Sequence, residues 1–212
     1  MTTSAERAYL HIRSEILGGR YPPGARLTED TIAGELSVSR TPVRDAIRRL
    51  YSEGLIEFTP NSGARIASWS ADELAEITQM RSLLESFAAE LAAAKIDVEA
   101  IGELEELART MERALDVGDR PDLDSISAAN LAFHRRIVTA TGNARLMIVL
   151  DGLWALPVLI RKFGLFDRER LERSCAHHRE IIAALRSRNG QWAGAIMRTH
   201  ILAAQAYDSM LA

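Results

Sequence analysis

The side chains best suited to bind a metal ion lie in the second half of this 212-residue chain. Asn130 and His134 are four residues apart, so on a helix they share one face. His178 and His200 each lie in a different amphipathic segment, among apolar residues. Neutral imidazole is the commonest protein ligand of divalent transition metals, and three imidazoles with one oxygen donor suit Zn²⁺ or Ni²⁺. An open coordination position on such an ion could accept a carboxylate from a small molecule.

A second interpretation of these histidines needs no metal. A single histidine on a helix is more often a hydrogen-bonded core or surface residue than a ligand. Spacing along the chain also does not bring residues of different helices together. On the residues alone, both interpretations stay open.

Arg81 is the best candidate for binding the carboxylate of a small molecule. It lies in an apolar helical segment, and a guanidinium group can bind a carboxylate through two hydrogen bonds. An ion pair with Glu85, four residues further on, explains Arg81 equally well. Its role as an effector contact is therefore one of two predictions.

A stripe of arginines in the first third of the chain is suited to a different chemistry. Arg40, Arg44 and Arg48 repeat every four residues and share one helical face, while apolar residues occupy the opposite face. Arginine can pair with O6 and N7 of guanine in the major groove, and hydroxyl groups such as those of Ser39 and Thr41 suit phosphate contacts. The segment is typical of a DNA recognition helix. The alternative is a solvated basic helix face.

These arginines are predicted to lie on the last of three helices that precede a β-hairpin. Thr28 and Ser39 are predicted to cap the second and third helices. Gly63, near the tip of the hairpin, would let the backbone approach the minor groove or the phosphates. This order predicts a winged helix-turn-helix domain over residues 1–68. Its predicted elements are helices over residues 4–18 and 41–53, a short helix between them, and strands over residues 55–58 and 64–67.

From residue 69 onward the pattern is helix after helix, with short loops between them. Six helices with short connections are typical of an α-helical bundle, so residues 69–212 are predicted to form a second domain. Pro157 predicts a kink in the fourth of these helices. The fold class is therefore mainly α, with a winged helix-turn-helix followed by an all-α bundle. The predicted helices span residues 70–95, 98–117, 121–140, 145–163, 167–188 and 191–210.

Composition limits the classes of function. The chain is 47% hydrophobic and 26% charged, which is ordinary for a folded protein. Its net charge of −3 does not indicate a nucleic-acid binder, so that inference depends on local charge. No segment approaches the ~18 apolar residues of a membrane span, and the N-terminus lacks a signal-peptide pattern. Cys175 is the single cysteine, which excludes an intramolecular disulfide. We therefore expect a cytoplasmic protein with no membrane partner.

Residues 39–56, which read SRTPVRDAIRRLYSEGLI, resemble the signature of GntR-type bacterial transcriptional regulators. The resemblance covers residues 5–67. It implies a dimer that binds a short palindromic operator in double-stranded DNA. Two positions depart from the family pattern, because Asp30 and Ser62 stand where many members have an arginine. The matching DNA contacts are Ser39, Arg40, Thr41 and Arg44 on the recognition helix and Gly63 on the wing.

Residues 72–210 resemble the FCD ligand-binding domain of the FadR-like branch of that family, in its shorter, six-helix VanR-like variant. The likeness is looser here, and it is carried by the segments RSLLE, NLAFH and HREII and by the pair Thr199–His200. It implies a carboxylate effector that binds at a metal ion held by Asn130, His134, His178 and His200. Asn130 replaces the commoner Asp. Because a neutral amide is a weaker ligand, lower metal affinity or a changed metal preference is expected.

These observations together predict a DNA-binding transcriptional regulator, a repressor, and not an enzyme. Its second domain is predicted to bind Zn²⁺ or Ni²⁺ and a small carboxylate, and to form a homodimer. One alternative is a regulator whose second domain binds no metal and only dimerises. A metal-dependent hydrolase is the other, but it needs a general base beside the metal-bound water. Glu180 follows His178 by two residues, so on a helix it points elsewhere.

Overall fold

The chain folds into helices and one small sheet, as described by a computed structural model. Contacts within the chain divide it into two compact units that meet in sequence near residue 69. The predicted domain ranges, 1–68 and 69–212, stay predictions. Among the described residues, no helix is both long enough and apolar enough to span a lipid bilayer. The structure describes residues 3–17, 20–59, 63–68, 70–117, 121–154 and 166–205.

The first unit is a winged helix-turn-helix, which confirms the predicted fold. Its sheet has the strand order β1-β3-β2, and all its pairs are antiparallel. The predicted hairpin is present as β2 and β3, with Ile56 opposite Ile66 and Thr59 opposite Gly63. Strand β1 was not predicted, because two residues are too few to show an alternating pattern. The elements are α1 (Ser4–Leu17), β1 (Arg26–Leu27), α2 (Glu29–Leu36), α3 (Arg40–Ser52), β2 (Ile56–Thr59) and β3 (Gly63–Ile66).

Helix α3 is seated firmly in this unit by its apolar side. Val43, Ala46, Ile47 and Leu50 are all buried, and they join a core that α1 and α2 also line. Residues at this spacing lie on one side of a helix, so burying them turns the opposite side toward solvent. Arg49 lies at the edge of the buried side. Its guanidinium stacks on the ring of Tyr9 at 3.5 Å, so this arginine packs against α1.

The second unit consists of six helices in its described part, as predicted. Most helix termini that the structure describes lie within a few residues of the prediction. The starts could be predicted because they carry capping side chains. Ser70 and Glu73 form a reciprocal capping box, and aspartates cap three of the other helices. The predicted kink at Pro157 lies outside the described residues. The helices are α4 (Ala71–Lys95), α5 (Val98–Leu115), α6 (Leu123–Ala140), α7 (Ala144–Trp154), α8 (Arg168–Arg186) and α9 (Gly190–Gln205).

Helices α4 and α9 approach each other closely at two glycines. A Cβ atom at Gly190 would lie 2.9 Å from the carbonyl oxygen of Glu90, and one at Gly194 would lie 2.5 Å from the Cγ of Glu90. Both distances are shorter than a normal contact. At Gly190 the neighbour is backbone, so the close approach requires glycine there, whereas at Gly194 the Glu90 side chain can turn away. Because α9 carries His200, this contact fixes how near that imidazole comes to α4.

Candidate DNA interface and metal centre

The basic side of α3 faces solvent. The side chains of Arg40 and Arg44 are 60% and 52% exposed, and Arg48 is exposed as well. Ser39 and Thr41 are also exposed. Ser39 occupies the N-cap position in an extended conformation, but its side chain makes no capping hydrogen bond, so that part of the prediction is wrong. Its hydroxyl group is consequently available to a ligand.

Two acidic residues at the start of α2 lie against these arginines. Arg44 donates from Nε and Nη2 to the two carboxylate oxygens of Glu29, at 2.8 and 2.9 Å. This hydrogen bonding holds the pKa of Glu29 below its usual value. Arg40 Nε lies 3.2 Å from Asp30 Oδ1 and 3.5 Å from Glu29. The Glu29 contact uses the Nε–Nη2 edge of the Arg44 guanidinium, so both N–H groups of Nη1 and the second N–H of Nη2 can still donate to another acceptor. Sequence reasoning missed this pairing.

The wing is accessible at Gly63. This glycine begins β3, is exposed, and has a φ of +77°, a conformation that side-chain-bearing residues rarely adopt. An added Cβ would meet nothing within 4 Å, so the backbone here is open to an approaching surface. Ser62 lies outside the described residues.

Three of the four predicted metal ligands form one buried cluster. The Nε2 atoms of His134 and His200 lie 3.2 Å apart, and the ring centroids of His178 and His200 lie 4.5 Å apart. One ligand atom from each of the three rings lies within 4.8 Å of the others, and this is the only such group among the described residues. Two nitrogens bound to one tetrahedral zinc ion at ~2.1 Å are about 3.4 Å apart. The cluster therefore has dimensions that suit a single ion.

Several possible ligand atoms at this site lack a hydrogen-bond partner among the described residues. Asn130 Oδ1, both ring nitrogens of His178, and His200 Nδ1 are buried without a hydrogen bond. Buried polar atoms are normally paired, so several unpaired ones in one place point to a ligand. Burial, reinforced by the neighbouring imidazoles, lowers the pKa of His178 and of His200 well below the ordinary value. Both rings are therefore neutral, which is the form that binds metal ions. The residues fit a divalent transition metal.

Glu85 is a residue of this site that sequence reasoning did not connect to the histidines. Its side chain is 1% exposed, and its Oε2 lies 2.5 Å from His134 Nδ1. Its Oε1 accepts hydrogen bonds from Arg81 Nε at 2.7 Å and Trp154 Nε1 at 3.1 Å. Burial alone would raise the pKa of Glu85, but the Arg81 guanidinium and the adjacent ring of His134 outweigh it and lower the pKa to about 2. The group is a carboxylate at neutral pH.

Arg81 makes the contact that the sequence offered as an alternative. It pairs with Glu85 and is only 13% exposed. Its charge still reaches the cluster, because after burial and the neighbouring imidazoles it also helps to lower the pKa of His200. The contact with a carboxylate effector stays a prediction.

Comparison with known proteins identifies the chain. Two protein-family profiles match it: "Bacterial regulatory proteins, gntR family" over residues 4–66 and "FCD domain" over residues 76–203. The second match alone covers more than half of the chain. The chain belongs to the GntR family. Within that family the FCD match fits the FadR-like branch, as the sequence predicted.

GntR relatives of this chain are transcriptional regulators. It is 33% identical to the probable D-xylose utilization operon transcriptional repressor of Paenarthrobacter nicotinovorans, over 95% of this chain and 87% of the relative. It is also 33% identical to the gluconate operon transcriptional repressor of Bacillus subtilis (strain 168), over 81% of this chain and 68% of the relative. The solved structure of E. coli McbR/YncC has the same fold, with a TM-score of 0.71 at 23% identity over 99% of both chains. This GntR protein is therefore a DNA-binding transcriptional regulator and not an enzyme, and the hydrolase alternative is wrong.

Proposed function

We propose that this GntR protein is a dimeric repressor whose binding to a short palindromic operator is controlled by a small carboxylate bound at a metal ion. The observation that carries the proposal is the buried cluster of His134, His178 and His200. Asn130 lies one helical turn before His134 on α6, and its buried oxygen has no hydrogen bond among the described residues. The names of the two relatives support repression, since both are called repressors of sugar or sugar-acid operons. A cytoplasmic location follows from the proposed binding to chromosomal DNA.

The metal would be held by Asn130 Oδ1, His134 Nε2 and the imidazoles of His178 and His200. When bound, Zn²⁺ or Ni²⁺ would supply an open coordination position for the carboxylate of the effector. Asn130 brings no negative charge to this donor set. The binding of the metal then depends on three neutral rings and one amide, which supports a borderline transition metal over Mg²⁺ or Ca²⁺.

Positive charge around the cluster supports an anionic effector. Arg81 lies close enough to His200 to affect its pKa. On the side of α8 and α9, a cavity that reaches His200 is lined by Arg170, Arg173 and His177. A guanidinium group binds a carboxylate with two parallel hydrogen bonds. Arg170 and Arg173 already pair with Asp167 and Glu169, so a carboxylate effector would have to compete with these side chains.

An exposed apolar surface supports the homodimer. Met80, Leu83 and Phe87 follow one another along α4, and all are about half exposed or more. Ile148 and Val149 are exposed on α7, which packs against α4. Contiguous apolar patches on a regulator are usual at protein interfaces. We propose a second copy of this chain as the partner, because a palindromic operator requires a two-fold symmetric protein.

Substitution of Arg44 tests the DNA interface. A duplex is first selected from a random library by the purified protein, and its affinity is then compared with that of a random duplex by fluorescence anisotropy. Arg44→Ala is expected to weaken binding to the selected duplex about 5- to 150-fold, the loss of a bidentate base contact worth ~1–3 kcal/mol. The control is Arg113→Ala, an exposed arginine of the second unit that pairs with Glu106. Unchanged discrimination between the two duplexes in Arg44→Ala would contradict the assignment.

Metal analysis tests the effector domain. The purified protein is expected to contain or take up zinc or nickel, and His134→Ala is expected to lose it without unfolding. A thermal-shift screen of small carboxylates on zinc-loaded protein then searches for the effector. If the parent protein binds no divalent metal, the alternative of a purely dimerising domain is favoured.

A charge on α4 tests the dimer. Leu83→Glu is expected to give a monomer in light scattering, because Leu83 is 61% exposed within the apolar surface. The matched control is Val98→Glu, since Val98 is 88% exposed but lies at the start of α5. A dimer that survives Leu83→Glu would exclude this surface.

A further inference from the structure

In the described part of the chain, the carboxylate of Glu85 is buried between two hydrogen-bond donors and an imidazole ring. We propose that Glu85 determines the tautomer of His134 and thereby whether the metal centre can form, an inference that rests on the proposed metal site. Glu85 is on α4, His134 on α6 and Trp154 at the end of α7. The side chains of Glu85 and His134 are each 1% exposed, so water does not compete for these contacts.

The carboxylate dictates where His134 carries its proton. An ionised carboxylate has acceptor atoms only, so the ring nitrogen that faces it has to carry the hydrogen. That nitrogen is Nδ1, which lies 2.5 Å from Glu85 Oε2, as a close contact rather than an aligned hydrogen bond. Nε2 is then left with a lone pair, and it faces His200 Nε2 at 3.2 Å inside the cluster. A carboxylate behind a ligating histidine also raises the basicity of the ligand nitrogen.

The two oxygens of Glu85 have different surroundings, and this makes glutamine a decisive substitution. Both donors, Arg81 Nε and Trp154 Nε1, point at Oε1. In Glu85→Gln these two donors would hold the amide oxygen at the Oε1 position. The amide NH₂ group would then face His134 Nδ1 and donate to it. His134 would have to carry its proton on Nε2, where no lone pair remains for a metal.

The tautomer can be measured directly in the full-length protein. Long-range ¹H–¹⁵N correlation spectra of metal-free, ¹⁵N-histidine-labelled protein at mildly alkaline pH distinguish the two neutral forms. We expect His134 to be protonated at Nδ1 in the parent and at Nε2 in Glu85→Gln. Zinc competition against a chromophoric chelator is expected to show 10- to 100-fold weaker binding in Glu85→Gln, the usual effect of losing an outer-shell partner.

Trp154→Phe is the matched control. It removes one of the two donors to Oε1 but keeps the carboxylate on His134, so the Nδ1-protonated tautomer is expected to persist. Zinc affinity is then expected to change by less than threefold. A loss of zinc in Trp154→Phe as large as that in Glu85→Gln would overturn the inference, because general packing would then explain both.

The remaining outcomes separate this inference from the proposed metal site. Parent-like zinc affinity in Glu85→Gln, or an Nε2-protonated His134 in the metal-free parent, overturns the role of Glu85 and leaves the metal site standing. The second of these needs no variant, so the test survives a Glu85→Gln protein that does not fold. An inverted tautomer in Glu85→Gln, in a parent that binds no zinc, supports the control of His134 by Glu85 and refutes the metal site.

Discussion

Replacing His178 by leucine tests whether the histidine cluster serves to bind a metal ion or to stabilise the metal-free fold. The ring of His178 is 0% exposed, and its centroid lies 4.5 Å from that of Phe133. Neither ring nitrogen has a hydrogen-bond partner in the part of the chain that the structure describes. Because burial keeps the pKa of His178 well below its usual value, the ring is neutral, and its replacement removes no charge. Leucine has a similar volume and packs well against an aromatic ring.

The expected change in the free energy of unfolding follows from the burial of the unpaired imidazole. A buried polar group without a partner costs about 1–3 kcal/mol. We therefore expect His178→Leu to raise the free energy of unfolding of the metal-free protein by about 1–3 kcal/mol. A metal present at 1,000 times its dissociation constant adds about 4.1 kcal/mol to the parent, whereas the variant has lost a ligand and gains little. The order of stability is thus expected to reverse when metal is added.

Urea unfolding followed by circular dichroism, at one fixed protein concentration, measures both quantities in EDTA and in excess zinc. His177→Leu serves as the control, because its ring is half-buried next to the cluster and is not one of the predicted ligands. The control is expected to keep the parent's gain in stability on adding zinc. A His178→Leu protein that is less stable than the parent in EDTA, yet retains the zinc-dependent gain, would refute the reasoning.

Two further predictions concern the wing and the single cysteine. Gly63→Ala is expected to lower the free energy of unfolding by about 1–2 kcal/mol, because its φ of +77° is unfavourable for alanine. Gly34→Ala, in the open on α2, is expected to raise that free energy by about 0.4–1 kcal/mol, and equal effects in urea unfolding would contradict the argument. Burial raises the pKa of the Cys175 thiol to about 11, so little thiolate exists at pH 8. Alkylation by iodoacetamide is expected to be slow in the folded protein and to accelerate toward pH 11 and in urea. A rate at pH 8 equal to that of free cysteine would disprove this.

The DNA-binding unit could be predicted from the sequence because its signals are local. The arginine spacing, the buried stripe of α3 and the turn-forming residues of the hairpin all lie within a few residues of one another. The pairing of Arg44 with Glu29 joins two helices across fifteen positions, and no periodicity within one helix reveals it. The same limit applies to the two-residue strand β1.

The role of Glu85 was missed for a related reason. Sequence reasoning considered only its neighbour one turn away, Arg81, whereas its other partners lie on α6 and α7. A signal was present, however. Thr78, Ser82 and Glu85 are spaced along one side of α4 and are all buried. Three polar residues on the buried side of a helix require partners, and they indicate a site at that level of the bundle.

Phe87 lies in an apolar stretch of α4, yet it is 49% exposed. Helix α4 carries apolar residues on two sides, and hydrophobic periodicity alone does not say which side the same chain covers. The alanines at 88, 89 and 92 occupy the covered side, where α9 comes close. Met80, Leu83 and Phe87 are left on the exposed side.

The glycine contact between α4 and α9 restricts how the bundle can respond to a ligand. With no Cβ at Gly190 or Gly194, the backbone of α9 abuts Glu90 directly, and the two helices should behave as one stiff pair. His200, on α9, is then expected to move together with α4. A ligand that needs more room has to displace α6 or α8 instead, so any signal from the centre is expected to begin at His134 or His178.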